Sequence, residues 1–390
     1  MVVRRLEGDE THEADLLWLQ CFERGLKSSL DGLSKWREGL EPRIVRFGLW
    51  DEAGMQATLQ MYGKRLQFES GVVIPAAYIS SIACAPARRG RGYGSACLKH
   101  ALEHMRDAGQ IVTTLSPFEY AYYRELGWEW IRIIRGYRVP SRMLRVVPET
   151  EDVRLANPQD RPGIEEAYRR FSARYRGMAV RDEVEWDLVL DGSKSYVSYV
   201  YVYESDGGID GYLVMRGGGS EETFLPEFIS LTPQAQRALL GLLRRLHNQA
   251  KTFVWDAPED DGLWSQFMHR DMHTGIGPGL QGRVVDVEAA LTALKPALSG
   301  DFVIDIQDPF ASWNAGTWQV AFADGVVTVA STKRDAEIQV DIQAFTQAFF
   351  GVLPVTALRG RDRMAVIREP AFQALRGLLD GPPMWYNGPI

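Results

Sequence analysis

Three arginines and three glycines stand together in the segment ARRGRGYGSACL, residues 87–98, directly ahead of an amphipathic pattern. The first backbone N–H groups of a helix have no partner within the helix, and they carry partial positive charge. Glycines let a ligand approach such a backbone closely, and the arginines lie alongside. These residue types at this spacing predict a site for a phosphate-bearing anion.

Two common phosphate loops fail to match this segment at specific positions. A Walker loop ends in Gly-Lys followed by Ser or Thr, whereas Gly94 is followed by Ser95 and Ala96 with no lysine. A dinucleotide-binding loop has a third Gly or Ala where Cys97 stands, and an acidic residue about 20 positions later at a strand end. Here Leu115 is followed by Ser-Pro-Phe, so both interpretations are rejected.

The elements around the segment are those that would position such a loop. Residues 77–84 read as a strand that ends before Ala85-Pro86. Apolar residues then recur at three- and four-residue spacing from Gly94 to Ala108, and Gly109 marks a helix end. Two strands with a turn at residues 51–54 precede this unit. A strand at 111–115, a helix at 119–126 and a strand from Trp128 to Tyr137 follow it.

The hexapeptide Arg89-Gly90-Arg91-Gly92-Tyr93-Gly94 resembles the coenzyme A pyrophosphate loop of the GNAT acyltransferases, an Arg/Gln-x-x-Gly-x-Gly/Ala pattern. The resemblance implies that backbone amides hold the pyrophosphate and that exposed backbone groups of the preceding strand pair with the pantetheine arm. A solvated Arg-Gly turn is the alternative. The coenzyme-binding residues implied are Ile82, Ala83, Cys84, Arg89, Gly90, Arg91, Gly92, Gly94 and Ser95.

A tyrosine motif follows this unit. The run Tyr122-Tyr123-Arg124-Glu125-Leu126-Gly127-Trp128 is similar to the family's Phe/Tyr-Tyr-x-x-x-Gly-Phe/Tyr motif. That resemblance places the hydroxyl of Tyr123 near the thioester sulfur, where a phenol with a pKa of about 10 could give a proton to the leaving thiolate. The alternative is that Tyr120, Tyr122 and Tyr123 are all core aromatics.

The element order repeats further along the chain. A helix at 163–175, strands at 196–203, 211–215 and 224–231, and a helix at 233–247 follow Asp152. In this copy Ile229-Ser230-Leu231-Thr232-Pro233 runs straight into the helix without an Arg-Gly loop. From about Asp286 the pattern changes to strands at 302–306, 319–322 and 326–330 and helices near 342–350 and 370–379. The sequence therefore predicts an α/β (α+β) fold with domains at 1–148, 149–288 and 289–390.

Two tandem GNAT units, only the first with an intact loop, followed by a unit similar to sterol-carrier-protein (SCP2) domains, resemble the Eis family of multi-acetylating aminoglycoside N-acetyltransferases. The segments at 281–288 and 308–314 fit that arrangement. The resemblance implies a homohexamer and an unusual general base, the terminal α-carboxylate, which here belongs to Ile390. Family members commonly end in Phe. A frayed chain end is the alternative interpretation.

The resemblance also points to Phe22, Glu23 and Trp36 as residues that bind the acceptor, because the family lines its acceptor channel with aromatic and acidic side chains from this region. Trp18 and Phe22 at i,i+4 are equally consistent with a plain core face. Acidic residues outnumber basic ones across 149–288, whereas basic residues prevail across 1–148. The net charge of −7 argues against general nucleic-acid binding, and the acidic middle segment suits a polycationic acceptor.

Other chemistry finds little support in the sequence. His100 and His104, and likewise His269 and His273, have i,i+4 spacing but lack an obvious third ligand, so no metal is expected and these histidines are expected at the surface. The three cysteines suit buried positions in a reducing compartment. No apolar run is long enough to cross a membrane, and a cytoplasmic protein is expected.

The sequence thus predicts an N-acetyltransferase that uses acetyl-CoA, without a metal, to acetylate the amine of a polycationic small molecule or of a lysine side chain in a peptide. Direct attack of an amine on a thioester needs no protein nucleophile. Two alternatives remain open: a non-catalytic acetyl-CoA sensor, and a lipid-binding protein that uses the C-terminal domain.

Overall fold

The computed structural model describes residues 1–22, 43–69, 71–193, 196–216, 221–267 and 273–388. The chain divides into two compact units. Unit 1 contains residues 1–131 and 280–381, and unit 2 contains residues 132–279 together with the segment from Pro382 onward. No helix in the described ranges is both long and apolar enough to span a membrane.

The first part of unit 1 follows the predicted order of strands and helices. The predicted turn after Asp51 is present, with Gly54 at a φ of +103° and the Ala53 N–H donating to Oδ1 of Asp51 at 2.8 Å. The described elements are β1 (Val2–Arg5), α1 (Glu10–Phe22), β2 (Ile44–Asp51), β3 (Gly54–Glu69), β4 (Val72–Cys84), α2 (Tyr93–Asp107), β5 (Val112–Leu115), α3 (Tyr120–Glu125) and β6 (Glu129–Trp130).

Unit 2 repeats this type of fold. Its described elements before residue 280 are β7 (Ile133–Pro140), β8 (Val153–Leu155), α4 (Arg161–Ser172), β9 (Met178–Ala179), α5 (Glu183–Leu190), β10 (Gly192–Ser193), β11 (Tyr196–Ser205), β12 (Gly208–Arg216), β13 (Glu222–Ser230), α6 (Pro233–Arg245), β14 (Thr252–Ala257) and β15 (His273–Pro278).

The chain then returns to unit 1. Its remaining elements are β16 (Gln281–Val284), α7 (Val287–Thr292), β17 (Gly300–Gln307), β18 (Gly316–Ala323), β19 (Val326–Ser331), β20 (Ile338–Asp341), α8 (Ile342–Phe350), α9 (Val355–Arg359), β21 (Met364–Val366) and α10 (Glu369–Leu379). The strands from β17 to β21 form a separate sheet in the order β19-β18-β17-β20-β21.

The first sheet of unit 1 runs in the order β1-β2-β3-β4-β5-β16-β6. Strands β4 and β5 are parallel, and β16 is antiparallel to both of its neighbours. Helix α2 packs on this sheet through five buried residues at helical spacing, which explains the amphipathic pattern. These residues are Cys97, Leu98, Ala101, Leu102 and Met105.

The sheet of unit 2 runs in the order β10-β11-β12-β13-β14-β7-β15, with β8 paired to β11. The single strand predicted from Trp128 to Tyr137 is therefore wrong. The chain forms β6 in the first sheet and β7 in the second, with Ile131 and Arg132 between them. Alternating apolar residues run through both strands, and local periodicity does not reveal which distant strand each one pairs with.

Candidate active site

Strands β4 and β5 diverge where the sequence predicted the pantetheine site. Their parallel pairing runs from Ala76 to Ile79 on β4, but β4 continues to Cys84, so the edge over residues 80–84 has no partner in β5. The Ala85 N–H donates to the Gln56 carbonyl at 2.8 Å, on the β3 side. Since backbone groups alternate along a strand, those of Cys84 and Ile82 point to the open side.

Of the three strand residues implied by the resemblance, Ala83 differs from its neighbours. Its backbone faces β3, and its side chain is buried against Ala14, Leu17 and Met55. The Cys84 carbonyl, in contrast, lies on the open side and accepts from Sγ of Cys21 at 3.3 Å. Ala83 therefore supports the open edge from behind, while Ile82 and Cys84 form it.

A bulge marks the point of divergence. The register between β3 and β4 shifts between the pairs Thr58–Ala83 and Gln60–Ser80, which leaves one extra residue on β4. Ser81 has a φ of +50°, a left-handed conformation that non-glycine residues rarely adopt. Such bulges bend a strand and often lie beside functional sites. Sequence reasoning missed this feature, because nothing in the run Ser80-Ser81-Ile82 marks it.

The loop after β4 ends in an open helix N-terminus. Gly90 and Gly92 have φ values of +76° and +78°, so the turn requires left-handed backbone, which glycine adopts at no steric cost. Gly92 is the N-cap of α2, and no side chain caps the helix there. The first-turn N–H groups therefore have no intrahelical partner and no side-chain acceptor, the condition for binding an anion. The Ser95 hydroxyl donates to the Gly92 carbonyl at 2.9 Å.

The loop arginines differ in what they contact. Nε of Arg88 lies 3.6 Å from Oδ2 of Asp51, a carboxylate that also accepts from the Tyr93 hydroxyl. Nε of Arg89 reaches the Cys84 carbonyl at 3.5 Å. Arg89 and Arg91 are both exposed. The two arginines that the resemblance assigns to the coenzyme are thus the more accessible ones, whereas Arg88 is half-buried.

Tyr123 is buried on α3 and is only 1% exposed. Its ring packs edge-on against Tyr122 and Phe118, with centroid distances of 5.0 and 5.4 Å. Among the described residues, no group forms a hydrogen bond with its hydroxyl. Burial raises the pKa of this hydroxyl far above its ordinary value, and nearby Tyr122 and Tyr78 act in the same direction. The phenol therefore keeps its proton at neutral pH and is free to donate it.

Tyr122 links this tyrosine to the loop. A Cβ added at Gly94 would lie 2.7 Å from the Tyr122 hydroxyl oxygen, so the hydroxyl lies directly over the first turn of α2. Burial raises the pKa of Tyr122 to about 12. The close approach explains why position 94 is glycine, and it places the tyrosine helix beside the open N-terminus. Sequence reasoning treated Tyr122 only as a candidate core aromatic.

The acceptor residues are only partly described. Phe22 ends α1, is 47% exposed, and its ring lies tilted against that of Trp18 with a centroid distance of 5.5 Å. Trp18 itself packs against the cluster that contains Ala83, and the neighbouring Cys21 contacts the Cys84 carbonyl. Phe22 therefore lies next to the open edge, with an accessible ring. Glu23 and Trp36 fall outside the described residues.

Ile390 also falls outside the described residues, but the chain just before it is firmly held within unit 2. The Trp385 N–H donates to the Arg176 carbonyl at 2.8 Å. The Asn387 carbonyl accepts from Arg181 at 2.7 Å, and the Asn387 side chain donates to Glu227 at 2.9 Å. Arg181 and Glu227 form an ion pair whose side chains are 1% and 2% exposed. Residues 385–387 are therefore not a frayed end.

The first histidine pair has a packing role. The rings of His100 and His104 lie edge-on to Phe47, with centroid distances of 4.9 and 5.2 Å, so both are half-buried rather than at the surface as expected. His269 is outside the described residues. Within the described ranges, no group of three or more His, Cys, Asp or Glu side chains is arranged to hold a metal ion.

Three segments of the chain match protein-family models. Residues 2–131 match an acetyltransferase (GNAT) domain, residues 177–284 match a second model with the same description, and residues 287–386 match a sterol carrier protein domain. The two acetyltransferase matches together cover more than half of the chain.

Relatives and solved structures align with most of the chain at low identity. An uncharacterized N-acetyltransferase of Streptomyces avermitilis is 26% identical over 83% of this chain and 84% of its own length. The N-acetyltransferase Eis of Mycobacterium tuberculosis is 25% identical over 80% of this chain and 79% of its own length. Among solved structures, a GCN5-related N-acetyltransferase from Anabaena variabilis superposes with a TM-score of 0.86 at 17% identity over 100% of both chains. Eis1 from Mycobacterium abscessus gives 0.77 at 23% identity over 99% of both.

Proposed function

Because the chain belongs to the GNAT family of N-acetyltransferases and is of the Eis type, we propose that it transfers the acetyl group of acetyl-CoA to the amine of a polycationic small molecule or a lysine side chain. One observation carries this proposal. The uncapped N-terminus of α2, the open edge of β4 and the unpartnered Tyr123 hydroxyl lie in a continuous arrangement in unit 1, linked by the contact between Gly94 and Tyr122.

Each part of this arrangement has a role in the proposed reaction. The first-turn N–H groups of α2 hold the pyrophosphate of coenzyme A, with Arg89 and Arg91 alongside. Backbone groups of Ile82 and Cys84 pair with the pantetheine arm. The amine nitrogen attacks the thioester carbonyl carbon, the carbon–sulfur bond breaks, and the leaving thiolate takes the proton of Tyr123.

The attacking amine must also lose a proton. The Eis resemblance assigns this step to the α-carboxylate of Ile390, and we keep that assignment as part of the proposal. Its support is that residues 385–387 are held by hydrogen bonds and do not form a frayed end. Deleting Ile390 is expected to lower kcat at neutral pH and to leave the Kd for acetyl-CoA unchanged.

The acceptor is proposed from charge and from the resemblance. Phe22 offers an accessible aromatic ring beside the open edge, and Glu23 adds a carboxylate next to it in the sequence, so an ammonium-bearing acceptor is favoured. The homohexamer implied by the resemblance is retained as a prediction, to be checked by light scattering on the purified protein.

The test is thiol release from acetyl-CoA in the presence of tobramycin, with mass spectrometry to count the acetyl groups on each acceptor. More than one acetyl group per tobramycin is the expected result. A protein that binds acetyl-CoA in calorimetry but releases no thiol with tobramycin, with polyamines or with lysine peptides would be a sensor, and the proposal would be wrong.

A further inference from the structure

The carbonyl groups at the end of the Tyr123 helix are held from outside the helix. The Arg124 carbonyl accepts from Nε2 of Gln343 at 3.0 Å, and the Leu126 carbonyl accepts from Nη1 of Arg283 at 2.7 Å. Helix α3 has only six residues, too few to be stable without tertiary contacts. These two donors therefore fix the C-terminal end of the helix that carries Tyr123.

Arg283 is itself fixed by a carboxylate in the sterol carrier domain. Its side chain and that of Asp308 are both completely buried, and Nη2 donates to Oδ2 of Asp308. Asp308 also accepts from the backbone N–H of Ala311 at 2.9 Å and from Nδ2 of Asn314 at 3.0 Å. A buried carboxylate with this many donors is well compensated, and it holds the guanidinium in one position.

The same guanidinium explains the glycine of the tyrosine motif. Gly127 has a φ of +90°, and a Cβ added there would lie 1.4 Å from Nη1 of Arg283. Two independent features therefore favour glycine at position 127: the left-handed backbone conformation and the close approach of the Arg283 guanidinium. The turn is closed by N–H groups of residues 126 and 128, which both donate to the Tyr123 carbonyl at 3.0 Å. Arg283 therefore packs directly against the turn that begins at Tyr123.

We propose that Arg283 is a positioning residue for Tyr123: its guanidinium, oriented by Asp308 of the sterol carrier domain, fixes the turn at Leu126–Gly127 and thereby aims the Tyr123 hydroxyl. This inference rests on the proposed role of Tyr123 as general acid. It gives the C-terminal domain a part in acetyl transfer that requires no lipid ligand.

The guanidinium geometry is essential to this role. Arg283 donates from one terminal nitrogen to the Leu126 carbonyl and from the other to Asp308. Lysine has a shorter side chain with a single nitrogen, so it cannot reproduce both contacts. Arg283→Lys is therefore expected to keep the buried charge pair with Asp308 but to lose the bond to Leu126. Asp308→Asn should keep the bond to Leu126 but leave the guanidinium without its counter-ion.

The experiment measures kcat, KM and melting temperature for wild type and three variants. Arg283→Lys should lower kcat about 10- to 100-fold, because small misplacements of a catalytic group are costly, with little change in the KM for acetyl-CoA. Its melting temperature should fall modestly, because the Leu126 carbonyl loses its donor. Asp308→Asn should lower the melting temperature more and kcat less than Arg283→Lys does. Arg106→Lys is the matched control, since Arg106 pairs with Asp286 at 3.4 Å in an exposed position, and it should behave as wild type.

Hydrogen–deuterium exchange gives a readout that does not depend on activity. In Arg283→Lys the peptide covering residues 120–128 should exchange faster, while peptides of α2 should not change. If kcat stays within about twofold of wild type, or if all peptides of unit 1 exchange faster together, Arg283 is merely structural and the inference is overturned. If wild type releases no thiol, the proposed function fails, and unchanged exchange at 120–128 would overturn the contact between Arg283 and the turn separately.

Discussion

The N-termini of α2 in unit 1 and α6 in unit 2 follow the same arrangement of strands but differ in chemistry. In unit 1 the β4 strand continues over residues 80–84 after its last pair with β5, and in unit 2 the β13 strand continues over residues 226–230 after its last pair with β14. A cavity of about 280 Å³ even lies beside this second divergence, lined in part by Phe228 and Trp255. The open strand edge is thus a property of the fold.

The helix N-termini are what differ. Gly92 leaves the first turn of α2 without a side-chain acceptor, whereas the Thr232 hydroxyl accepts from the Ala235 N–H at 3.1 Å at the start of α6. Pro233 then removes one more backbone N–H from that turn. The second helix caps one of its donors and lacks another, whereas the first helix has no side-chain acceptor at its first turn. An anion site therefore requires the glycine loop as well as the repeated fold.

The tyrosines differ in the same way. The Tyr123 hydroxyl has no hydrogen-bond partner among the described residues, while the Tyr137 hydroxyl in unit 2 donates to Asp261 at 2.7 Å and accepts from the Trp264 N–H at 2.9 Å. A hydroxyl with two partners stabilises a structure, and a buried hydroxyl without one is available for chemistry.

The largest expected effect comes from removing the free hydroxyl. Tyr123→Phe should lower kcat about 10²- to 10⁴-fold, the usual contribution of a general acid, with the Kd for acetyl-CoA unchanged. Thiol release at saturating amine measures it. Tyr137→Phe is the matched control: it should lower the free energy of unfolding by about 1–3 kcal/mol, since it removes one donor to Asp261 and leaves the Trp264 N–H without its acceptor, and it should not change kcat. Equal losses of kcat in both variants would contradict the distinction.

The pH dependence of the reaction tests whether the Tyr123 hydroxyl is buried and protonated. The raised pKa of Tyr123 means that the general acid is protonated below that pKa and is lost only above it. The kcat of wild type should therefore not fall through tyrosine ionisation below pH 10, the ordinary tyrosine pKa. A measured pH profile with a tyrosine-dependent fall near pH 9, absent in Tyr123→Phe, would disprove the buried, protonated state.

Giving α2 a cap like that of α6 is expected to have the next largest effect. In Gly92→Asp the new carboxylate would face the proposed pyrophosphate site. Two unit charges about 5 Å apart repel each other by about 3 kcal/mol at an effective dielectric constant near 20. The Kd for acetyl-CoA in calorimetry should rise about 100-fold. Gly92→Asn controls for the left-handed backbone, because asparagine tolerates it and carries no charge; its Kd should rise much less.

The loop arginines should contribute less than the backbone. Arg91→Ala should raise the Kd for coenzyme A about fivefold, equivalent to roughly 1 kcal/mol for an exposed ionic contact, and this difference should shrink at high salt. Arg88→Ala is the comparison, since Arg88 is turned toward Asp51. An effect at Arg88 larger than at Arg91 would show that the loop holds the anion by a different set of side chains.

The smallest effect is expected from uncapping the second helix. Thr232→Ala should lower the free energy of unfolding by about 1 kcal/mol, the usual value for a lost N-cap, as measured by urea denaturation. The Kd for acetyl-CoA and kcat should stay at their wild-type values. If this variant bound a second equivalent of acetyl-CoA, the cap at Thr232 alone would account for the difference in coenzyme binding between the two units.

Local sequence patterns were enough to predict much of the fold and the general kind of site. The helix predicted at 342–350 has those bounds, and the strand, glycine loop and helix around Gly92 follow the predicted order. The tandem GNAT domains and the sterol carrier domain are confirmed by the family matches, as is the N-acetyltransferase class. These features rest on periodicity and short motifs, which a single stretch of chain contains.

Contacts between residues far apart in the chain could not be predicted from the sequence. Arg283 reads as an ordinary charge at the end of a strand, and only its pairing with Asp308 and its approach to Gly127 reveal its place beside Tyr123. The bulge at Ser81 depends likewise on pairing with β3. The coenzyme, acceptor and base assignments stay predictions, and Glu23, Trp36 and Ile390 lie outside the described residues.

Strand β16 has a consequence for the order in which the molecule is made. It fills the position between β5 and β6, yet it is synthesised only after about three quarters of the chain. During translation, at roughly 5–20 residues per second, the edge of β5 stays without its neighbour for about 8 to 30 seconds. It is then an exposed strand edge that can pair with wrong partners. A nascent chain therefore cannot complete its tyrosine-bearing sheet until residues 132–279 of unit 2 have left the ribosome, so an acetyltransferase domain expressed alone as residues 1–131 should aggregate.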